Sequence, residues 1–529
     1  MIMKPKLPPL LVRADADGAR GIGHVLRSLV LANAWHEQGG TVEILTTQPA
    51  PALRRRMESA GATVSEIAEP SSTAADLEVT LATIDRLGTD SAALPWVILD
   101  GYHFTPTYQK AIRRSGCRLV VIDDTAHLAR YDADIVLNHG ALAPRVEYQV
   151  NTDAWLLLGT RYALLRAEFE RWRDFQRPIP ETARNILLTL GGADGDNLTA
   201  KVMDALALIK DCAFDVQVLA GPLNPHIDAL RRQVAATPNM QIHTDVTDPS
   251  PLMAWADIAI AASGTTAWEL AFMQTPALLL VVAENQTAVA DGVTEFAAGR
   301  SLGRAETLSL DDIAAALREL INDPARRRLM AERGKNLVDG GGAARVLAAM
   351  HERQNFNSRS DFMIRRAGGD DALLLWQWAN DPLTRRNSLS NAAISWDDHR
   401  AWCAKKFAAP DCRLWIMHIG PLPVAQIRYD RVVSNIGVAA EISFSVAPGF
   451  RGRQLGTRLL EATASLAVDE LGADSVQAVA LQGNEASRRV FLKAGFAMAE
   501  ARRPDGRLCM VFRRDCDANS ARQSHVSLH

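Results

Sequence analysis

A histidine flanked by glycines follows the first apolar run of the chain. Residues 13–28 read RADADGARGIGHVLRS, a strand end, a glycine-rich turn and then a helical pattern. N–H groups at such a helix start favour an anion and disfavour a charged histidine, so His24 could accept a proton. Arg27, one turn further on, could bind a phosphate through two N–H groups. The spacing is equally typical of a tight turn at Gly23 that leaves His24 on a helix surface.

Polar residues also end two later apolar runs. DGYHF places Asp100, Tyr102 and His103 at the carboxyl end of a predicted strand, and IDD does the same for Asp123 and Asp124. Ligands of open α/β sheets bind at such ends, so these side chains are candidates for a substrate site. The alternatives are a polar loop around a half-buried tyrosine, and an aspartate that only caps a helix.

Two motifs in the middle of the chain have groups that suit a nucleotide-sugar. LGGADGDN places free N–H groups beside Gly191 and Gly192, where a diphosphate could lie. VVAENQ ends another apolar run, and the amides of Asn285 and Gln286 could orient a sugar or a water molecule. The sequence contains no Walker, HExxH or GxSxG motif.

The motif AASGTTAWELAF combines a strand, a turn of small residues and a helix. Ser263, Gly264, Thr265 and Thr266 would supply backbone and hydroxyl donors at the helix start. Glu269 lies one turn into the helix and can accept two ribose hydroxyls. The alternative is an ordinary N-cap followed by an ordinary helical glutamate.

A second kind of chemistry is indicated near residue 450. EISFSVAPGFRGRQLGTRLLEA leads from a strand through RGRQLG into a helix, and the successive N–H groups of that loop can wrap a pyrophosphate. By itself, RGRQLG is also compatible with a basic helix cap. Glu441 shares a strand face with Ser443 and Ser445, where it either accepts an amine proton through water or simply faces solvent.

The elements that position these motifs are apolar runs separated by amphipathic helices, a pattern typical of parallel sheets covered on both faces. Strands are predicted at 10–15, 41–47, 96–102, 118–124, 134–140, 185–192, 215–221, 240–246, 258–262, 277–283, 414–420, 425–430 and 440–446. The fold class is therefore α/β, with two doubly wound Rossmann-like units followed by an α+β domain. Predicted boundaries are 1–175, 176–351, a linker at 352–361, 362–517, and a disordered tail at 518–529.

The bulk composition excludes several classes of protein. The 529 residues are 48 % apolar and carry a net charge of -3, so no basic excess favours nucleic acid or an anionic membrane. Six scattered cysteines without a CxxC pair predict neither a disulfide framework nor a zinc site. The N-terminus is not typical of a signal peptide, and polar residues interrupt the apolar stretch 258–283. These features predict a soluble cytoplasmic protein without a metal, acting on small molecules.

The order GIGHVLRS, DGYHF, IDD, LGGAD, SGTTAWEL and ENQ resembles the UDP-2,4-diacetamido-2,4,6-trideoxy-β-L-altropyranose hydrolases of pseudaminic acid synthesis. The resemblance covers roughly residues 10–350. It implies a two-domain fold like that of glycosyltransferases of the MurG type (GT-B), with inverting attack of water at the anomeric carbon and release of UDP. On this resemblance His24 is the general base, and Tyr102 and Asn285 are active-site residues.

From about residue 361 to 515 the chain resembles the GCN5-related N-acetyltransferases (GNAT), through RGRQLG and NEASRRVFLKAGF. The resemblance implies acetyl-CoA as cosubstrate. The positions that match its binding site are Val446, Arg451, Gly452, Arg453, Gln454, Leu455, Gly456 and Asn484. Gln454 replaces a common glycine. Phe491 replaces the tyrosine that protonates the departing thiolate, and a phenylalanine has no proton to give.

Together the two resemblances predict a bifunctional enzyme. It would acetylate the 4-amino group of a UDP-sugar precursor and hydrolyse the acetylated UDP-sugar. The alternative is a glycosyltransferase of the same fold with an appended protein N-acetyltransferase.

Overall fold

The computed structural model describes residues 7–16, 22–67, 73–91, 93–151, 153–356, 361–434, 437–502 and 509–515. The chain divides into two compact units, Met1–Ala143 with Tyr148–Leu347, and Pro144–Glu147 with Ala348–His529. The predicted linker begins inside a helix, because helix Gly342–Asn355 continues past residue 352. The predicted tail at 518–529 lies outside the described residues.

The larger unit begins with seven strands and four helices. The strands are β1 (Leu10–Ala14), β2 (Val42–Thr47), β3 (Ala62–Ile67), β4 (Trp96–Asp100), β5 (Arg118–Ile122), β6 (Ile135–Asn138) and β7 (Trp155–Leu158). The helices are α1 (Gly23–Glu37), α2 (Pro51–Ser59), α3 (Thr73–Ser91) and α4 (Pro106–Arg114). Short 3₁₀ turns lie at Ala143–Arg145, Thr160–Tyr162 and Ala167–Trp172.

These strands form one parallel sheet in the order β3-β2-β1-β4-β5-β6-β7. Strands β1 and β4 are buried along their whole length because helices cover both faces of the sheet, as their continuous apolar sequences predict. Helix α1 buries a stripe that includes Val25, Leu29 and Ala32.

A second parallel sheet follows within the same unit. Its strands are β8 (Asn185–Thr189), β9 (Asp215–Leu219), β10 (Met240–His243), β11 (Ile258–Ala262), β12 (Ala277–Val281) and β13 (Arg300–Arg304). Its helices are α5 (Leu198–Ala207), α6 (Ile227–Ala235), α7 (Ser250–Trp255), α8 (Thr266–Phe272), α9 (Thr287–Glu295), α10 (Leu310–Ile321) and α11 (Pro324–Leu337), with a 3₁₀ turn at Glu284–Gln286. Helix α12 (Gly342–Asn355) begins in this unit, and its residues from Ala348 onward belong to the smaller unit.

The second sheet has the order β10-β9-β8-β11-β12-β13. In both sheets the strand order reverses direction beside the first strand, between β1 and β4 and between β8 and β11. Ligands of doubly wound sheets bind at the carboxyl ends of the strands at this reversal. Four of the six loops with predicted motifs follow β1, β4, β8 and β11, so the topology brings these motifs together in pairs, and the other two follow β5 and β12 next to them.

The smaller unit contains a mixed sheet of seven strands, in the order β14-β15-β16-β17-β18-β20-β19. The strands are β14 (Met363–Arg366), β15 (Cys412–Ile419), β16 (Leu422–Ser434), β17 (Gly437–Val446), β18 (Ser475–Leu481), β19 (Ala497–Arg502) and β20 (Cys509–Asp515). The helices are α13 (Ala372–Ala379), α14 (Pro382–Arg386), α15 (Trp396–Ala408), α16 (Leu455–Leu471) and α17 (Glu485–Lys493), and 3₁₀ turns lie at Gly369–Asp371 and Pro448–Phe450.

The architecture confirms the predicted fold class, with two Rossmann-like units and an α+β domain. All the predicted strands are present. The sequence analysis missed β3, β7 and β13 in the larger unit and β14, β18, β19 and β20 in the smaller one. Most of these strands lie at or near a sheet edge, where half-exposed residues interrupt the apolar run, as in β3 and β13.

Candidate active sites

His24 and Asp100 form a hydrogen-bonded pair at the carboxyl edge of the first sheet. His24 is the second residue of α1, Asp100 ends β4, and Nδ1 of His24 lies 2.6 Å from Oδ1 of Asp100. Burial alone would raise the pKa of Asp100, but Arg27 and His24 outweigh it and hold that pKa well below its usual value. Since the carboxylate is ionised, Nδ1 carries the ring proton and Nε2 is left as the basic nitrogen.

This pair borders a cavity of about 300 Å³. Its lining comprises Asp15, His24, Asp100, Gly101, Tyr102 and His103. Gly23 adds open space at the helix start, because a side chain there would meet nothing within 4 Å. The structure therefore brings the predicted base and the predicted active-site tyrosine to one cavity.

Arg27 lies one helical turn after His24, as predicted, but its side chain binds carboxylates and not the predicted phosphate. Its Nε and one terminal nitrogen donate to Asp100 at 2.7 and 2.6 Å, and the other terminal nitrogen donates to Asp124 at 2.8 Å. The side chain is only 5 % exposed. Arg27 therefore holds two carboxylates instead of a phosphate, and Asp100 acts on His24 and Arg27 instead of on a ligand.

Tyr102 joins the two sheets of the larger unit. Its hydroxyl donates to Asp124 at 2.6 Å and accepts from Nδ2 of Asn285 at 2.9 Å. Burial and the charge of Asp124 raise the pKa of Tyr102, so its hydroxyl keeps its proton. The two residues expected at the active site, 183 positions apart in sequence, are thus in direct contact.

The glycine loop after β8 allows its backbone to lie close to a neighbouring loop. Gly191 has a φ of +92°, a left-handed conformation that favours glycine. A Cβ on Gly192 would lie 2.8 Å from Ile22, so this loop meets the turn that precedes His24. Asp194 accepts hydrogen bonds from Leu198 and Thr199 and so caps α5.

The SGTT turn matches the prediction only in part. Ser263 is fully buried and donates both its N–H and its hydroxyl to the carbonyl of Leu280, so it offers no donor to a ligand. Gly264, Thr265 and Thr266 are half-buried at the start of α8, and Thr265 makes no side-chain cap bond in the described structure. Their N–H groups are the donors that remain for an anion. Gln286 lies near Gly264, and its Oε1 accepts from the N–H of Val282.

Glu269 forms a bidentate ion pair that the sequence did not predict. Its two carboxylate oxygens accept from Nε and a terminal nitrogen of Arg166, at 2.7 and 2.9 Å. Arg166 precedes the 3₁₀ turn that connects the two sheets. Because each carboxylate oxygen has two lone pairs, the pair orients Glu269 and leaves acceptor capacity for ribose hydroxyls.

In the smaller unit, β17 and β18 separate partway along their length. They pair from Ala439–Ser475 to Ile442–Ala478, and the last four residues of β17, through Val446, pair only with β16. The RGRQLG loop follows at once. Gly452 and Gln454 have φ values of +74° and +62°, so the loop curls before α16 begins. Such a curl suits an anion, which fits the pyrophosphate of acetyl-CoA.

Some residues of this loop matter for the packing of their side chains or Cα atoms, and Gln454 matters for its backbone conformation. Gly456 is required for packing, because a Cβ there would lie 3.1 Å from Phe444. Leu455 is buried, and the guanidinium of Arg453 lies 5.3 Å from the ring of Phe356. Gln454 takes the left-handed conformation that explains why glycine is common there.

Three predicted residues of this unit have structural partners. Arg451 pairs with Asp381 and donates to Thr384, so its side chain braces α14. Asn484 caps α17 by accepting from the N–H of Ser487 at 3.1 Å, so its oxygen is already bonded. Glu441 accepts from Gln477 at 3.0 Å within the paired part of β17, and its role as a proton acceptor stays a prediction.

Phe491 is a core residue of the smaller unit. It is 3 % exposed and packs against Phe444, Phe496 and Phe512, with ring centroids 5.1 to 5.6 Å apart. Phe491 therefore has no proton to give, and the general acid of the predicted acetyl transfer would be another group or solvent.

Several site residues escaped the sequence analysis. Asp15 lies within the first motif but was not singled out, and Arg166 lies in no motif that separates it from ordinary polar residues. His127 lies four residues after Asp123, and only the IDD motif indicated that its segment ends a strand. Among the described residues, no group of three or more His, Cys, Asp or Glu side chains is arranged to hold a metal ion. No helix in the described part of the chain is long and apolar enough to span a membrane.

Comparisons with known proteins agree with the division of the chain into a larger Rossmann-like unit and a smaller α+β unit. Residues 361–497 match the family model described as acetyltransferase (GNAT) domain, and residues 165–288 match that of lipid-A-disaccharide synthetase. A spore coat polysaccharide biosynthesis protein, SpsG, of Bacillus subtilis is 28 % identical over 247 residues, covering 46 % of this chain and 72 % of the relative.

Two further relatives cover more of the chain. An uncharacterised protein of Methanocaldococcus jannaschii is 23 % identical over 509 residues, 92 % of this chain and 96 % of its own length. The UDP-2,4-diacetamido-2,4,6-trideoxy-β-L-altropyranose hydrolase of Campylobacter jejuni is 22 % identical over 292 residues, 53 % of this chain and 94 % of its own length. The chain is therefore an enzyme in which a region related to such hydrolases precedes an acetyltransferase domain of the GNAT family.

Proposed function

We propose that the chain performs two successive steps on one UDP-sugar in pseudaminic acid synthesis. The first is acetyl transfer from acetyl-CoA to the 4-amino group, and the second is hydrolysis of UDP-2,4-diacetamido-2,4,6-trideoxy-β-L-altropyranose to the free sugar and UDP. The observation that carries the hydrolytic half is the His24–Asp100 pair beside the cavity that Tyr102 also lines. Acetylation comes first because both sites would recognise the sugar through its UDP group, and hydrolysis removes that group.

In the hydrolytic step, a water molecule attacks the anomeric carbon while Nε2 of His24 takes its proton. A new C–O bond forms as the bond to the diphosphate oxygen breaks, and UDP leaves with that electron pair. Asp100 stabilises the imidazolium that forms, and general base help of this kind contributes about 10²- to 10⁴-fold. Tyr102 and Asn285, which are hydrogen-bonded to each other, would position the sugar.

The departing diphosphate is stabilised by N–H groups at the carboxyl edge of the second sheet. The glycine turn at Gly191 and Gly192 and the start of α8 at Thr265 and Thr266 supply them. Such preorganised donors act where negative charge develops, without reorganising during the reaction.

In the acetyl step, the 4-amine attacks the thioester carbonyl, a C–N bond forms and the C–S bond breaks to release the thiolate of CoA. The backbone of Arg451 to Gly456 would hold the pyrophosphate, and the unpaired edge of β17 up to Val446 would hold the pantetheine arm. Glu441 is the proposed acceptor of the amine proton, through water.

A second candidate is favoured by the match of residues 165–288 to a lipid-A-disaccharide synthetase model. The larger unit would then be a glycosyltransferase, and the smaller unit a protein N-acetyltransferase. The two candidates differ in their need for an acceptor. The hydrolase releases UDP with water alone, whereas the transferase releases UDP at a comparable rate only when a sugar or lipid acceptor is added.

Glu269→Ala is expected to weaken UDP binding by about 1.5–3 kcal/mol, the range for hydrogen bonds to a charged group. Alanine also leaves Arg166 without its carboxylate partner, so Glu269→Gln is the matched variant that keeps an acceptor and the side-chain volume. Titration calorimetry measures the UDP affinity of both variants. Glu319→Gln, which alters an exposed ion pair of the same half, is the control. Unchanged UDP affinity in both Glu269 variants would exclude the ribose contact.

A further inference from the structure

A second histidine, His127, lies behind the active-site tyrosine. It follows β5 by five residues, and its side chain is 28 % exposed. Nδ1 lies 3.0 Å from Oδ1 of Asp123, and Nε2 lies 3.1 Å from the backbone carbonyl oxygen of Tyr102. The proposed hydrolytic mechanism gives His127 no role, yet the ring spans the gap between two segments of the site.

Both ring nitrogens of His127 face hydrogen-bond acceptors. A carboxylate and a backbone carbonyl have no proton to donate, so only the doubly protonated ring makes both bonds. A neutral ring has one N–H and must give up one of them. The geometry therefore favours the imidazolium.

Two aspartates near the ring, Asp123 and Asp124, reinforce this preference. Asp123 is fixed by the hydroxyl of Tyr148 at 2.7 Å and the N–H of Ala126 at 2.8 Å, so its carboxylate cannot turn away. The hydroxyl of Thr125 lies 3.4 Å from Nδ1. The bond to Asp123 raises the pKa of His127 against the opposing effect of burial, and the carboxylate of Asp124, which Arg27 binds, adds to the increase.

Tyr102 lies between the two histidines. The rings of His24 and His127 contact it edge-on, with centroids 5.1 and 5.3 Å away, and Tyr131 packs on the far side of His127 at 6.4 Å. The hydroxyl of Tyr102 is held by Asp124 and Asn285, as described above. The backbone of Tyr102, in the turn that follows β4, is held by the hydrogen bond from His127 to its carbonyl oxygen.

We propose that His127 is a positioning residue of the hydrolytic centre, whose protonated ring holds the backbone of Tyr102 and so sets the upper pH limit of hydrolysis. The inference rests on the proposed hydrolase function. Because the bonded form is the charged one, the bond to Tyr102 is complete below the raised pKa of His127 and is weakened as pH rises through it. UDP release then falls on the alkaline side.

Two substitutions separate the ring nitrogens. The amide nitrogen of glutamine occupies the place of Nε2, so His127→Gln keeps the bond to Tyr102 at every pH and loses the one to Asp123. The amide nitrogen of asparagine occupies the place of Nδ1, so His127→Asn keeps the bond to Asp123 and loses the one to Tyr102. His36→Gln changes an exposed histidine of the same half and is the control.

The experiment measures kcat and KM for UDP release from the acetylated UDP-sugar by the full chain across pH. We expect wild type to lose rate at alkaline pH, His127→Gln to retain its rate there, and His127→Asn to lose about five-fold in kcat at all pH values, the effect of one lost hydrogen bond. Since the residue is partly exposed, both variants are expected to fold, and thermal unfolding verifies this. An alkaline decline that persists in His127→Gln, or equal rates in the two variants, would overturn the inference.

A failure of the proposed function gives a different result. Wild-type protein that releases no UDP at any pH counts against hydrolysis itself. The inference is then judged by NMR titration of the histidine rings in the full chain, with the signal of His127 assigned from His127→Gln. A pKa for His127 above the usual histidine value supports the proposed hydrogen bond from its protonated ring to the backbone of Tyr102. A pKa at or below that value overturns the inference.

Discussion

His24→Asn is expected to lower the rate of UDP release by at least about 10²-fold, the scale of lost general base help. The amide nitrogen of asparagine occupies the place of Nδ1, so the variant keeps the bond to Asp100 and removes only the basic Nε2. The rate is measured as UDP formed from the acetylated UDP-sugar under single-turnover conditions.

Acetyl transfer provides an internal control for this variant. The acetyltransferase motifs lie in the other compact unit, so thiol release from acetyl-CoA should be unchanged. His36→Asn, at an exposed position of the same helix, should hydrolyse like wild type. Hydrolysis near the wild-type rate in His24→Asn would remove His24 from the mechanism.

Asp100→Asn is expected to have an effect of comparable size, about 10²-fold or more. The neutral amide no longer stabilises the imidazolium that forms, and its N–H₂ group favours the ring tautomer with the proton on Nε2, where the base is needed. Because the side chain is fully buried, its shape must be kept, and asparagine does so.

A loss of stability is the competing explanation for reduced turnover in Asp100→Asn, because Arg27 would keep only Asp124 as a negatively charged partner. Thermal unfolding and UDP affinity distinguish a loss of stability from a loss of catalysis by the His24–Asp100 pair. Preserved UDP binding with lost turnover supports the pair, whereas retained turnover in Asp100→Asn would show that the pair is not needed. Asp90→Asn, in an exposed ion pair of the same half, is the control.

The placement of the motifs was largely predictable from the sequence. Apolar runs ending in polar residues predicted which loops lie at the carboxyl edges of the sheets, and the Rossmann-like order brings those loops together. The contact of His24 with Asp100 spans 76 positions and depends on β1 lying beside β4. A sequence pattern identifies both strands but does not specify that adjacency.

The direction of individual side chains was less predictable. Arg27, Ser263 and Asn484 stand where an anion or cosubstrate would be expected, yet each is bonded within the protein. A motif shows which donors are near a ligand. Competition with buried carboxylates and backbone groups decides where each donor points, because an unpaired buried polar group costs about 1–3 kcal/mol.

Long-range ion pairs were not predictable at all. Arg166 and Glu269 are 103 positions apart, and Arg166 lies in a segment without regular strand or helix. Charged residues in such segments are usually solvent-exposed, so composition and periodicity give no reason to pair these two. The pair matters because it orients the carboxylate proposed to bind ribose.

The most direct test is incubation of the full chain with the 4-amino UDP-sugar and acetyl-CoA, with free thiol and free UDP followed separately in time. The proposed function predicts that thiol is released first, that UDP follows with water as the only acceptor, and that omitting acetyl-CoA suppresses both. His24→Asn should then release thiol and accumulate the acetylated UDP-sugar. Thiol release that requires a protein or peptide acceptor, or no UDP from the acetylated sugar without a glycosyl acceptor, would contradict it.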